Sequence, residues 1–132
     1  MKIDLFTTFA TKAADLSTCK RLKVGAVIFP QDFSQLLSYG YNGQPRGLPN
    51  DGCAQHIDGN CGCVHAEANA LIKLNTHIHN LIILSTVSPC EHCAGMIINN
   101  TRISDVWYIE EYRNTQGLDD LRTAGLVVRK IG

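Results

Sequence analysis

Two short segments of this 132-residue chain carry the residue types that metal and proton chemistry need: His65-Ala66-Glu67 and Pro89-Cys90-Glu91-His92-Cys93. Cys90 and Cys93 stand three apart, and in the first turn of a helix that spacing points both sulfurs to one side. The positive end of the helix favours their thiolate forms. With His65 as third ligand, two thiolates neutralise a zinc ion and the fourth tetrahedral position stays open for water. Three protein ligands and one open position describe a catalytic zinc rather than a structural one. The metal lowers the pKa of that water to about 7, so hydroxide is available at neutral pH. Glu67 lies two residues past His65, cannot share its helix face, and is expected beside the metal rather than on it. A carboxylate there takes the proton from the water and delivers it to a substrate nitrogen and then to a leaving amine. Taken singly, a CxxC also fits a structural zinc half-site or a redox pair, and HAE at a helix start arises by chance. The joint pattern is what carries the catalytic reading.

A chain of this length forms one compact domain, 1–132, with little room for a second lobe. Its 12 Lys and Arg balance 12 Asp and Glu, and the balance gives no electrostatic footprint for duplex nucleic acid. No long nucleic acid is expected as a partner, whereas a small phosphorylated molecule is compatible. The first twenty residues mix charges with apolar residues, unlike a signal peptide, and no apolar run approaches the eighteen residues of a membrane span. The expectation is a soluble, cytoplasmic protein with no membrane partner. Its six cysteines should then be reduced, and they need metal, catalysis or burial to explain them.

The elements that must position these residues follow from periodicity. Ile3, Phe6, Phe9, Ala10, Ala13, Ala14 and Leu16 share a helical stripe, so the first helix is expected over residues 3–17. Residues 24–29 and 35–41 read as neighbouring strands, the second ending in Asn-Gly. Residues 43–63 form a long loop, functional or tied by metal. A helix is expected over 64–74, with His65 and Glu67 in its first turn, and a buried strand over 80–87. A third helix over 90–99 starts at Ser88-Pro89. A strand over 104–109, a helix over 118–124 stopped by Gly125, and a strand over 126–129 complete the chain. The order αββαβαβαβ implies an α/β fold with a mixed sheet covered by helices.

The pairing of H-x-E with P-C-x-x-C is the signature of zinc-dependent nucleobase deaminases. STCKRLKVGAVIF, SYGYNGQPRG, VHAEANAL, STVSPCEHCAGMI and the tail DVWYIEEYRNTQGLDDLRTAGLVV extend the likeness along nearly the whole chain. The chain resembles the cytidine deaminase superfamily, and within it the deoxycytidylate deaminase branch in its short phage or bacterial form. The resemblance implies a three-layer fold with a five-stranded mixed sheet. It also implies hydrolytic deamination of dCMP to dUMP with release of ammonia, on the route to thymidylate. Zinc-bound hydroxide would attack C4 of cytosine with Glu67 as proton shuttle, and His65, Cys90 and Cys93 would hold the metal.

Carried over by resemblance, Asn42 binds the sugar, and Gly43 gives the tight turn that lets backbone approach the nucleotide. The Ala66 amide and Ser88 carbonyl read the cytosine edge, and Tyr112 packs beside the nucleotide. For the 5′-phosphate, Arg46 is favoured and Arg113 placed second, because a guanidinium fits a pair of phosphate oxygens. A second, structural zinc is implied by Cys19, Cys53 and Cys61, with either His56 or Cys63 as fourth ligand. Cys61-Gly62-Cys63-Val64-His65 is tighter than the family pattern before the histidine. His77, His79 and His92 read as structural or solvated. The resemblance further suggests a homo-oligomer, often a hexamer, and control by dCTP and dTTP in some members.

Other readings stay open within the superfamily. A tRNA adenosine deaminase shares HAE and PCxxCAG, but has a shorter connection from the asparagine to the HAE helix and favours a basic surface. Small tetrameric cytidine deaminases use a cysteine where His65 stands. Guanine and riboflavin-pathway deaminases find less support in YNGQPRG. A non-catalytic zinc or nucleotide module would have no chemical need for Glu67.

Overall fold

The computed structural model describes residues 2–50 and 62–132. The elements follow the expected order: α1 (Lys2–Ala14), β1 (Gly25–Phe29), β2 (Ser38–Tyr41), α2 (Ala66–Lys73), β3 (Leu81–Val87), α3 (Glu91–Asn99), β4 (Ile103–Glu110), α4 (Gln116–Thr123) and β5 (Val127–Lys130). Several boundaries differ for local reasons. α1 stops at Ala14 because the next amides bond three residues back, Ser17 to Ala14 among them, which tightens the chain out of the helix. Leu16, expected on the apolar stripe, is exposed as a result. β2 begins three residues late because Phe33 bonds back to Pro30 in a turn and adopts a left-handed φ of 58°. α2 begins at Ala66 because Val64 is committed elsewhere: its amide and carbonyl pair with Gly43 in an antiparallel bridge.

The five strands lie in the order β2-β1-β3-β4-β5. β3, β4 and β5 run parallel, joined through α3 and α4, while β1 is antiparallel to both β2 and β3. The sheet is therefore mixed and five-stranded, as expected. Alternate residues of its central strands feed two cores, which is why β1 is buried throughout and reads as an unbroken apolar run. Ala26, Ile28, Leu81, Ile83 and Val106 face Ala66 and Ala70 of α2, Ala94 and Ile97 of α3, and Leu118 and Leu121 of α4. On the other face Val27, Phe29, Ile82, Leu84 and Trp107 meet Phe6 and Ala10 of α1. Phe6 stacks on Phe29 at 4.2 Å between ring centroids, and the Arg129 guanidinium lies 4.8 Å over Trp107. The result is three layers: α1, sheet, and α2 to α4.

Strand direction places the chemistry. Gly25 pairs with Tyr41 and Ala26 with Ser85, so the start of β1 and the carboxyl ends of β2 and β3 lie along one edge. Val87 pairs with Glu110, which brings the end of β4 to the same edge. No helix among the described residues is long and apolar enough to cross a membrane.

Candidate active site

Two helices begin at this edge, and their starts hold the candidate ligands. His65 caps α2 and Cys90 caps α3, both with extended backbone, and Cys93 follows one turn into α3 at 1% exposure. The sequence pointed to Cys90 inside the helix; Ser88-Pro89 instead keeps it extended as the cap. Nδ1 of His65 lies 3.2 Å from Cys93 Sγ and 3.4 Å from Cys90 Sγ. All three donor atoms fall within 4.8 Å of one another, and among the described residues no other group of three or more His, Cys, Asp or Glu does so.

The electrostatics explain what such a cluster asks for. A hydrogen bond with Cys93 holds the Cys90 thiol down to about 3, against the cost of burial and with help from His65. The same bond pushes Cys93 well above the ordinary thiol range, with burial and the charges of Glu67 and Cys90 adding to it. The two shifts run in opposite directions because one hydrogen bond favours the thiolate at Cys90 and the thiol at Cys93. Two sulfurs and an imidazole nitrogen around one point suit zinc.

Glu67 stands one step into α2 and is 4% exposed. Burial pushes its carboxyl up to about 7, with the backbone at the helix start and His65 working the other way and Cys90 adding to the rise. A carboxyl near neutrality both accepts and gives up a proton at physiological pH.

His65, Glu67 and Cys90 form one wall of a cleft of about 1050 Å³, with Cys93 buried behind it. Asn42, Ala66, Ser88, Tyr112 and Arg113 line it as well, so most of the site expected from sequence comes together. The Ser88 hydroxyl accepts the Tyr112 amide at 2.7 Å, and the Ser88 amide donates to the Glu110 carbonyl, tying the ends of β3 and β4. Gly43 sits just outside the wall in its bridge with Val64. Arg46 is exposed and is not part of the cleft wall. Arg21, His92, Glu110 and Glu111 do line it, and residue types alone did not single them out. His92 reads from sequence as structural or solvated. Only the parallel register of β3 and β4 brings the glutamates beside Ser88.

Asn42 does more than face the cleft. Its side-chain oxygen accepts the Val24 amide at 2.8 Å, its side-chain nitrogen donates to the Leu22 carbonyl at 2.6 Å, and its own carbonyl accepts the Ser17 hydroxyl at 2.7 Å. The residue fastens segment 17–24, with Arg21 on it, to the end of β2. One amide hydrogen and one lone pair remain for a ligand. Asn42→Ala is expected to lose about 2 kcal/mol of stability and most turnover together. Thermal melts beside steady-state rates check this, and an unchanged melting temperature would show that the clamp carries no weight.

Of the second cluster, Cys19 is buried and packs against Cys63, whose sulfur accepts Gln44 Nε2 at 3.4 Å. Cys53, His56 and Cys61 lie outside the described residues. His77 and His79 are exposed, as expected.

Residues 1–110 match the family described as the cytidine and deoxycytidylate deaminase zinc-binding region. The chain belongs to the cytidine and deoxycytidylate deaminase family. The chain is 35% identical to a deoxycytidylate deaminase of Saccharomyces cerevisiae, over 95% of its own length and 43% of the yeast protein's. It therefore spans under half of that relative. It is 32% identical to the deoxycytidylate deaminase of Mycobacterium phage D29, over 71% of this chain and 84% of that one. The dCMP deaminase of cyanophage S-TIM5, solved in complex with dCMP and dUMP, superposes with a TM-score of 0.84 at 32% identity, covering 97% of this chain and 95% of that one.

Proposed function

We propose that this deaminase converts dCMP and water to dUMP and ammonia, supplying dUMP for thymidylate synthesis. The observation that carries the reading is the convergence of His65, Cys90 and Cys93 on one point, in a cleft wall that also holds a buried Glu67. Zinc, when bound by those three residues, makes water nucleophilic toward C4 of cytosine at neutral pH. Glu67 takes one proton from the attacking water and passes it to the ring nitrogen; it then takes the proton of the new C4 hydroxyl and hands it to the amine, which leaves as ammonia as the C4–N bond breaks and the carbonyl forms. The Ala66 amide and the Ser88 carbonyl read the cytosine edge, fixed by the two helix starts. Asn42 and Gly43 flank the sugar, and Tyr112 packs beside the nucleotide.

For the phosphate we place Arg113 before Arg46, because Arg113 lines the cleft and Arg46 is exposed beyond it. Arg113→Ala is expected to raise KM for dCMP by about 10- to 100-fold, the worth of a charge-assisted hydrogen bond, with little change for deoxycytidine. Equal effects on both substrates would remove the phosphate role.

The deciding assay follows ammonia release from dCMP, CMP, deoxycytidine and a tRNA anticodon stem. Preferred turnover of either of the last two would overturn the assignment. A second, structural zinc on Cys19, Cys53 and Cys61, with His56 or Cys63, is also proposed. The packing of Cys19 against Cys63 supports it. Metal analysis should then give two zinc ions per chain, and one would remove the site. Assembly as a homo-oligomer, a hexamer by resemblance, is read by sedimentation, and control by dCTP and dTTP by rates measured in their presence.

A further inference from the structure

The metal centre has one ligand at the start of α2 and two on α3, so the distance between the two helix starts decides whether the donors meet. Neither helix fixes that distance alone. Gly117 is the second residue of α4 and is buried. A methyl group on it would stand 2.9 Å from both the carbonyl carbon and oxygen of Cys90, and closer still to the Pro89 carbonyl oxygen. Those are backbone atoms, which cannot swing aside as a side-chain tip does. Across the site, a methyl group on Gly40 of β2 would stand 2.6 Å from the Ala70 amide nitrogen and would collide with the carbonyl of Ala66, the residue between His65 and Glu67. Neither glycine has a positive φ, so neither is needed for an unusual backbone conformation. What both permit is close approach.

We propose that Gly117 and Gly40 are positioning residues of the metal centre: α4 seats against Cys90 and β2 against Ala66, which sets the two ligand-bearing helix starts at metal-binding separation. The proposal rests on the zinc reading above. Neither glycine touches a donor atom. Gly117 acts through the backbone of Cys90 itself and Gly40 through the first turns of α2, which His65 caps, so an added methyl group displaces Cys90 or the start of α2 while leaving every ligand in the sequence.

The internal comparison is Gly25. A methyl group there would stand 2.8 Å from the Ala14 amide nitrogen and collide with the Ala10 carbonyl, an equally tight contact with a helix that carries no ligand. The test strips the metal from wild type, Gly117→Ala, Gly40→Ala and Gly25→Ala and titrates each with Co2+. Three quantities are read: the thiolate-to-cobalt band, the ligand-field bands and the affinity against a chromophoric chelator. The active-site signal is the part of the spectrum lost in Cys90→Ser. Gly117→Ala and Gly40→Ala should bind about 10- to 100-fold more weakly, with shifted ligand-field bands, the range seen when groups supporting metal ligands are altered. Gly25→Ala should lower the melting temperature and leave affinity and bands unchanged. Wild-type affinity and bands in both Gly117→Ala and Gly40→Ala, or an equal loss in Gly25→Ala, would overturn the proposal. Where Gly117→Ala does not fold, Leu118→Ala loosens α4 by removing core atoms instead of adding one, and unchanged bands there count against it. A wild-type protein with no thiolate-to-cobalt band would sink the zinc reading itself, a different result from any of these.

Discussion

Glu67→Gln should lower dCMP turnover by about 10²- to 10⁴-fold, the contribution of a positioned acid–base group, while zinc content stays at the wild-type value. The substitution keeps shape and removes only the ability to accept and return a proton. Glu67 is nearly sealed from solvent at 4% exposure, so no water chain readily replaces it as a shuttle. It is also absent from the donor cluster, whose three members are His65, Cys90 and Cys93, and metal retention should not depend on it. The fold should tolerate the change, because a neutral amide avoids the burial that drives the carboxyl up to about 7. Ammonia release and metal emission analysis on the same preparation check both halves. Retained turnover would remove the shuttle role; lost zinc would make Glu67 a ligand.

Cys90→Ser should abolish both metal binding and activity. The Cys90 thiol is held down to about 3, chiefly by its hydrogen bond with Cys93, which favours the thiolate a metal ion needs. A serine hydroxyl does not ionise there, and the remaining Cys93 thiol is pushed up rather than down. The site falls from two sulfur donors to one, with the charge balance of the ion lost. Chelation should lower the melting temperature of wild type, because an ion bound only to the folded state stabilises by mass action. The active-site part of that drop should vanish in Cys90→Ser. Re-addition of zinc should restore activity to stripped wild type alone. A variant that keeps its metal through dialysis against chelator would show that His65 and Cys93 suffice.

The sequence showed some parts of this site more plainly than others, and the reason is physical. His65, Glu67, Cys90 and Cys93 announce themselves because metal ligation and proton transfer demand particular atoms at particular spacings within one or two helix turns. The order of helices and strands was equally open, since each apolar period is a local property. Three of the boundaries that missed, at Leu16, Gln35 and Val64, fell where a backbone hydrogen bond to a neighbouring residue or a distant partner overrode the local pattern. Arg21, Glu110 and Glu111 were hidden more deeply. Their place in the cleft depends on strand register and on the Asn42 clamp, which join residues far apart in sequence. The same applies to Gly117, whose side chain is absent and whose meaning lies wholly in what it lets approach.

The reversed direction of β1 has a consequence for which segments meet at the cleft. In an all-parallel sheet, one edge gathers only the segments that leave the strands, and the segments entering them lie on the far side. Because β1 runs against β3, the chain entering it, residues 17–24, arrives beside the chain leaving β2, β3 and β4. Four stretches therefore border one cleft in a small domain, and only two places, at His65 and at Cys90 with Cys93, are committed to the ion. The stretches around Arg21 and Tyr112 supply no donor to that ion, so the charge they present to the cleft is set separately from the metal ligands.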